Sequence, residues 1–136
     1  MAKVFSMQQK VLFKHCDPAG IVFFPRYFEM MNDCVEAFFD EALGVPFEKL
    51  LVTHGGVPTA QIQTSFCAPS RHGDHLTLTL TTKSIGRTSW SYAMEARCGE
   101  QTRFTTEATL VHIDAAGKPC RWPDELRQTI SDYEAP

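Results

Sequence analysis

The sequence predicts an α+β domain in which about five antiparallel strands wrap around one long buried helix, a count taken from pattern alone. Three observations carry this. Apolar residues recur at helical spacing from Phe28 to Ala42, and three later stretches alternate apolar and polar residues with a period of two. The length, 136 residues with 43% hydrophobic content, suits one domain with one core, so a single domain is expected over 1–136.

The elements follow in order. Val4 to Phe13 mixes β-branched, aromatic and polar residues at roughly period two and reads as a first strand. From Pro25 to Leu43, Phe28, Met31, Val35, Phe38, Phe39 and Ala42 form one apolar face. Pro25 suits the first helical position, where a missing N–H costs nothing, and Gly44 suits the end. Pro46 to Leu51 reads as a short second helical turn before His54-Gly55-Gly56, and Val57 to Phe66 as a second strand. Leu76, Leu78 and Leu80 then alternate with threonines, Trp90, Tyr92, Met94 and Ala96 with smaller or polar residues, and Phe104 to Ile113 continues the pattern. Three consecutive long strands imply an antiparallel meander. Trp122 to Tyr133 is read as a short helix or an irregular tail.

The chemistry concentrates in His15 to Tyr27. Asp17 brings a carboxylate to a turn, Pro18 sets that turn, and Gly20 permits backbone angles or a close approach that a side chain would block. The free N–H groups of the helix opening at Pro25 carry partial positive charge and can receive an oxyanion. A carboxylate beside an oxyanion site points to acyl transfer.

Asp17-Pro18-Ala19-Gly20-Ile21-Val22-Phe23-Phe24-Pro25-Arg26-Tyr27 resembles the signature D-P-A-G-I-V-x-[FY]-P-N-Y of the hotdog-fold thioesterases of the 4-hydroxybenzoyl-CoA thioesterase type, departing only at Arg26. The likeness continues through Met7-Gln8-Gln9, Ser65-Phe66 with Pro69, Asp74 to Leu76, and Gly86-Arg87-Thr88-Ser89. It implies a hotdog domain that hydrolyses an acyl-CoA thioester to a carboxylic acid and CoA without a cofactor. By resemblance Asp17 is the catalytic carboxylate, either a nucleophile forming a mixed anhydride or a general base on water, and the backbone N–H of Phe24 polarises the carbonyl. Substrate contacts are expected at Gly20, Phe23, Asn32, Arg87 and Ser89. Asn32 falls where the family carries an acid near the ring hydroxyl of its substrate, so the acyl group is left open among aromatic and short or medium chains. Only Arg87 of the family's basic run is carried over, with Lys83 or Arg71 as substitutes for holding CoA phosphates. The resemblance also implies a homodimer whose sheets join edge to edge, usually paired into a tetramer, with each site built across the interface. A non-catalytic acyl-CoA-binding or scaffold module is the alternative reading. A hydratase is a third, disfavoured because its catalytic-His motif is not found.

Other features point away from other functions. A formal net charge of −3 offers no general attraction for nucleic acid. No apolar run approaches the ~18 residues of a membrane span, no signal segment opens the chain, and a cytoplasmic location without membrane partners is expected. Cys16, Cys34, Cys67, Cys98 and Cys120 form no Cys-x-x-Cys pair, favouring reduced thiols over disulfides or structural zinc. Cys16 is read as structural, and His15 as a surface or strand-end residue. His72-Gly73-Asp74-His75 reads as a turn, with no metal assigned.

Overall fold

Leu76, Leu78 and Leu80 are fully buried, as is Trp90, and Tyr92, Met94, Ala96, Phe104, Ala108 and Leu110 complete one apolar sheet face. That face closes on a helix. The computed structural model describes residues 3–135, in the order β1 (Phe5–Lys10), α1 (Pro25–Glu41), α2 (Phe47–Thr53), β2 (Thr59–Phe66), β3 (His75–Ile85), β4 (Ser89–Cys98), β5 (Gln101–Val111) and α3 (Asp124–Asp132). The five strands form one sheet in the order β1-β3-β4-β5-β2, every neighbouring pair antiparallel. This is the sheet-around-helix arrangement anticipated, with the meander β3-β4-β5 at its centre.

Helix α1 lies in the sheet's apolar face because Tyr27, Met30, Met31, Cys34, Val35, Phe38 and Phe39 share one side of it, while Glu29, Asn32, Asp33, Glu36 and Asp40 face out. Phe38 is its central anchor. The ring stacks on Trp90 at 5.3 Å and meets Phe5 and Tyr133 edge-on at 5.4 and 5.0 Å. Burial pushes the Cys34 thiol up to about 12, so it stays protonated and inert. The helix ends as expected: Gly44 takes φ +70°, and Val45 N–H reaches back to Phe39 O at 2.9 Å.

The first strand is shorter than its pattern. It ends at Lys10, and Phe13–His15 form a 3₁₀ turn instead. The C-terminal segment is helical rather than irregular, and α3 seals the sheet end remote from the Asp17 turn. There Thr82 Oγ1 donates to Ile130 O at 2.8 Å and accepts from Trp90 Nε1 at 3.0 Å.

The sheet is left with two edges, β1 and β2. On β2 the residues facing the helix side are Ile62, Thr64 and Phe66, opposite Ala108, Thr106 and Phe104. Ile62 and Phe66 remain 41% and 47% exposed, so helix α1 covers this edge incompletely.

Candidate functional site

The segment from Asp17 to Tyr27 is fixed largely by its own backbone. Asp17 N–H donates to Ile21 O at 2.9 Å, Gly20 N–H to Asp17 O at 2.9 Å, and Phe23 N–H to His15 O at 3.0 Å. The Asp17 carboxylate accepts from Ala19 N–H through Oδ1 at 2.8 Å, which orients it while leaving the half-exposed side chain reachable. Gly20 sits at φ +81°, and a Cβ there would meet nothing within 4 Å. Its glycine is therefore required by backbone angle rather than by close approach.

Helix α1 opens without a side-chain cap. Phe24 is the N-cap and has helical angles, Pro25 has no N–H, Arg26 N–H bonds to Phe23 O at 2.8 Å, and Tyr27 N–H to Phe24 O at 3.0 Å. Among the described residues no acceptor is found for the Phe24 N–H. The helix start thus retains one free donor at its positive end, seven positions after the carboxylate.

Beside this donor runs an apolar groove of about 490 Å³, lined by Ile21, Val22, Phe24, Tyr27, Phe66 and Pro69. Phe66 anchors its wall, stacking on Tyr27 at 5.7 Å and meeting Phe24 and Phe28 edge-on at 6.0 and 6.1 Å. Phe23 and Phe24 are 48% and 55% exposed, an unusual surface position for adjacent aromatics. A larger hollow of about 550 Å³ lies on the outer sheet face among Thr79, Thr81, Glu95 and Thr105. It mixes these polar groups with Val4, Ala93 and Met94 and includes no residue of the Asp17 to Tyr27 segment, so the smaller apolar groove is the better site.

The loop after β2 forms the groove's far wall and is itself pinned. Arg103 Nη1 donates to Asp74 Oδ2 at 2.7 Å, Arg71 N–H to the same oxygen at 2.9 Å, and Cys67 N–H to Arg103 O at 2.8 Å. The Arg103 hydrogen bond, then that of Arg71, holds the Asp74 carboxyl below its ordinary range. A carboxyl depressed in the folded state contributes stability that is present above its unfolded value, near 3.9, and lost as pH falls through the folded value. Asp74→Asn is accordingly expected to cost ~2 kcal/mol at pH 7, between the exposed and buried limits for ion pairs. The deficit should shrink as pH falls below about 4, as followed by thermal unfolding across pH. A deficit independent of pH would assign the loss to packing.

The remaining candidates are distributed as follows. Asn32 is exposed on α1, one helical turn past Phe28, and does not line its own chain's groove. Arg26 pairs with Glu29 at 2.8 Å on the surface. Lys83 pairs with Glu107 at 2.9 Å and Arg71 is exposed. His15 is buried rather than superficial. Its Nδ1 accepts from Leu12 N–H at 2.9 Å and burial lowers its pKa, so the ring caps the 3₁₀ turn as a neutral group. Gly73, at φ +94°, turns the chain between His72 and Asp74 as read.

Arg87 and Ser89 lie on the β3–β4 hairpin at the other end of the sheet. β3 starts at the Asp17 end, where Val11 N–H bonds to Asp74 O, and finishes at Ile85 beside Arg87. Its 11 residues span about 33 Å. Arg87 borders a hollow of about 280 Å³ with Arg121, Trp122 and Arg127. Arg127 is spent on the carbonyls of Ile85 and Gly86, leaving the exposed Arg87 and Arg121 as its outward cations. Ser89 O accepts from Gly86 N–H at 2.8 Å and Trp122 Nε1 at 3.2 Å, closing the hairpin. Arg121 was not singled out from sequence: its nearness to Arg87 is created by the return of the chain after β5.

The profile of the thioesterase-like superfamily matches residues 11–130. The 4-hydroxybenzoyl-CoA thioesterase of Pseudomonas sp. (strain CBS-3) is 33% identical over 92 residues, which span 66% of this chain and 65% of that protein. Among solved structures, a 1,4-dihydroxy-2-naphthoyl-CoA thioesterase from Synechocystis superposes with a TM-score of 0.87 at 20% identity, covering 98% of this chain and all of that one. A Staphylococcus aureus protein in complex with CoA gives 0.89 at 16% identity over 98% and 85% of the two chains. The structure of the Pseudomonas thioesterase gives 0.84 at 23% identity over 94% and 99%. The agreement in fold at low identity, with a matched profile over most of the chain, establishes the hotdog architecture, and the chain belongs to the thioesterase-like superfamily.

Proposed function

We propose that this protein is an acyl-CoA thioesterase, releasing a carboxylic acid and free CoA, with Asp17 as its catalytic carboxylate and the Phe24 N–H as its oxyanion donor. The observation that carries the reading is an oriented carboxylate and an unpaired helix-start N–H on one short turn, beside an apolar groove. The Pseudomonas relative's activity supports it.

Two routes are open to such a pair. As general base, Asp17 takes a proton from water as the water oxygen adds to the thioester carbon. The carbonyl oxygen becomes an oxyanion held by Phe24 N–H, and collapse breaks the C–S bond and expels CoA thiolate, which is protonated. As nucleophile, Asp17 itself adds to that carbon, and water then opens the mixed anhydride. Neither route requires a metal or redox cofactor.

Arg87 and Arg121 suit the anionic end of CoA, but a chain holds them at the opposite end of its sheet from Asp17. A two-fold pairing of two β2 edges resolves this. Antiparallel pairing sets the Phe66 end of one strand against the Thr59 end of the other, so the Asp17 turn of one chain approaches the Arg87 hairpin of the second. The half-exposed Ile62 and Phe66 are covered in the same step. Arg87→Ala should then raise KM for acyl-CoA several-fold, about 1 kcal/mol, with a smaller change in kcat. The effect should disappear with an acyl-pantetheine substrate. An equal loss on both would make Arg87 structural.

The groove's aromatic lining suits aromatic and short or medium acyl groups. Thiol release over a panel of benzoyl-, phenylacetyl-, 4-hydroxybenzoyl- and straight-chain acyl-CoAs tests activity and substrate class together. Binding of these thioesters without thiol release would favour the non-catalytic module.

A further inference from the structure

The Phe24 N–H can act as an oxyanion donor only if it stays where it is, and within its own segment it is held by backbone bonds alone, Phe23 N–H to His15 O at 3.0 Å and Arg26 N–H to Phe23 O at 2.8 Å. The N-cap has no side-chain cap, and the Phe23 and Phe24 rings on either side of the peptide are half exposed. Stabilisation of developing charge depends on donors already in place, and a displacement of about 1 Å is costly in rate. Contacts from outside the segment can hold it as well.

Two anchors do, and both belong to Ser70. Its carbonyl accepts the Val22 N–H at 2.8 Å, and its hydroxyl accepts the Tyr27 hydroxyl at 2.9 Å. Val22 lies two residues before Phe24 and Tyr27 three residues after it. Ser70 therefore grips the chain on both sides of the free N–H. Ser70 is fully buried and Tyr27 is 4% exposed, so water does not compete for the hydroxyl pair. Ser70 is held in turn by Arg71 N–H on Asp74, by the Asp74–Arg103 ion pair, and by Cys67 N–H on Arg103 O, a line of contacts that ends on β5.

We infer that Ser70 is a positioning residue, its hydroxyl and carbonyl together fixing the Phe24 N–H at the start of helix α1 relative to Asp17. The inference rests on the thioesterase reading of this site. Ser70 does not touch the substrate. It acts through Tyr27 and Val22, and it belongs to the β2–β3 connection rather than to the Asp17 motif.

The test compares Ser70→Ala, Tyr27→Phe and the double variant with wild type and Asp17→Asn, each checked for folding by circular dichroism. Each single variant should lower kcat about tenfold with KM within about twofold, because the fault is in a transition-state donor rather than in binding. The double variant should be no slower than the slower single, since the two groups form one contact. In ¹⁵N-labelled protein, the Phe24 amide should shift and exchange faster in the single variants. Should Ser70→Ala fail to fold, Tyr27→Phe, which leaves only a small hydroxyl to re-orient, carries the same readouts. Folded single variants with wild-type kcat and an unmoved Phe24 amide would overturn the inference, as would losses confined to KM or multiplying in the double variant. Thiol release by wild type no faster than the uncatalysed rate would instead remove the thioesterase reading, and the Phe24 amide would still decide whether Ser70 positions it.

Discussion

Asp17→Asn is expected to lower kcat about a thousandfold, close to 4 kcal/mol of barrier, with the thermal unfolding temperature nearly unchanged. The two halves of this expectation have separate origins. The carboxylate's structural work is the Oδ1 acceptance from Ala19 N–H, which an asparagine amide oxygen can repeat in the same turn. The backbone bonds Asp17 N–H to Ile21 O and Gly20 N–H to Asp17 O are indifferent to the side chain. The chemical work does not survive, because a neutral amide neither accepts a proton from water near neutral pH nor forms an anhydride. The Phe24 N–H and the groove remain, so the variant should keep binding acyl-CoA and retain a residual rate. Thiol release under saturating substrate, with circular dichroism and thermal melts alongside, measures both halves. Near-normal turnover in a folded variant would remove Asp17 from the mechanism.

The parts of this molecule legible in its sequence are those governed by local rules. Pro25 and Gly44 bracket α1 within three residues of its observed end because each satisfies a backbone requirement of its own position. The leucine–threonine alternation of β3 reports the two sheet faces directly. The first strand overran because Leu12 and Phe13 continue its apolar pattern. The chain instead folds back on His15, whose ring accepts the Leu12 N–H, a short-range contact that a period-two pattern does not encode. The same limit hid Ser70: its partner Tyr27 is 43 residues away, and the pairing exists only once the β2–β3 connection is laid against α1. Arg87 presents the converse case. An arginine there suits a phosphate, but sequence position gives no measure of which sheet end a hairpin occupies. The separation from Asp17 by the length of β3 emerged only with the topology.

That separation generates the second large effect. Ile62→Lys is expected to leave a folded chain that sediments as a monomer at micromolar concentration and releases thiol roughly a hundredfold more slowly, about 3 kcal/mol. Ile62 stands mid-way along β2, an edge strand whose outer side has no strand beside it among the described residues, and it is 41% exposed. A lysine there can direct its ammonium to water, so the cost to the isolated chain is small. In a two-fold antiparallel pairing, residues near the strand centre face their own copies. The substitution therefore sets two like charges against each other where two apolar side chains would have packed. Charged residues on edges oppose strand addition for this reason. On the proposed pairing, its loss would leave each Asp17 turn without the Arg87 hairpin of a second chain and leave the groove beside Phe66 open to water. Because association follows mass action, activity should recover as protein concentration is raised. Sedimentation velocity and thiol release across a concentration series measure both quantities. A monomer with full activity would mean that one chain completes the site alone. An undisturbed oligomer would move the contact from β2 to the other edge or to the outer sheet face.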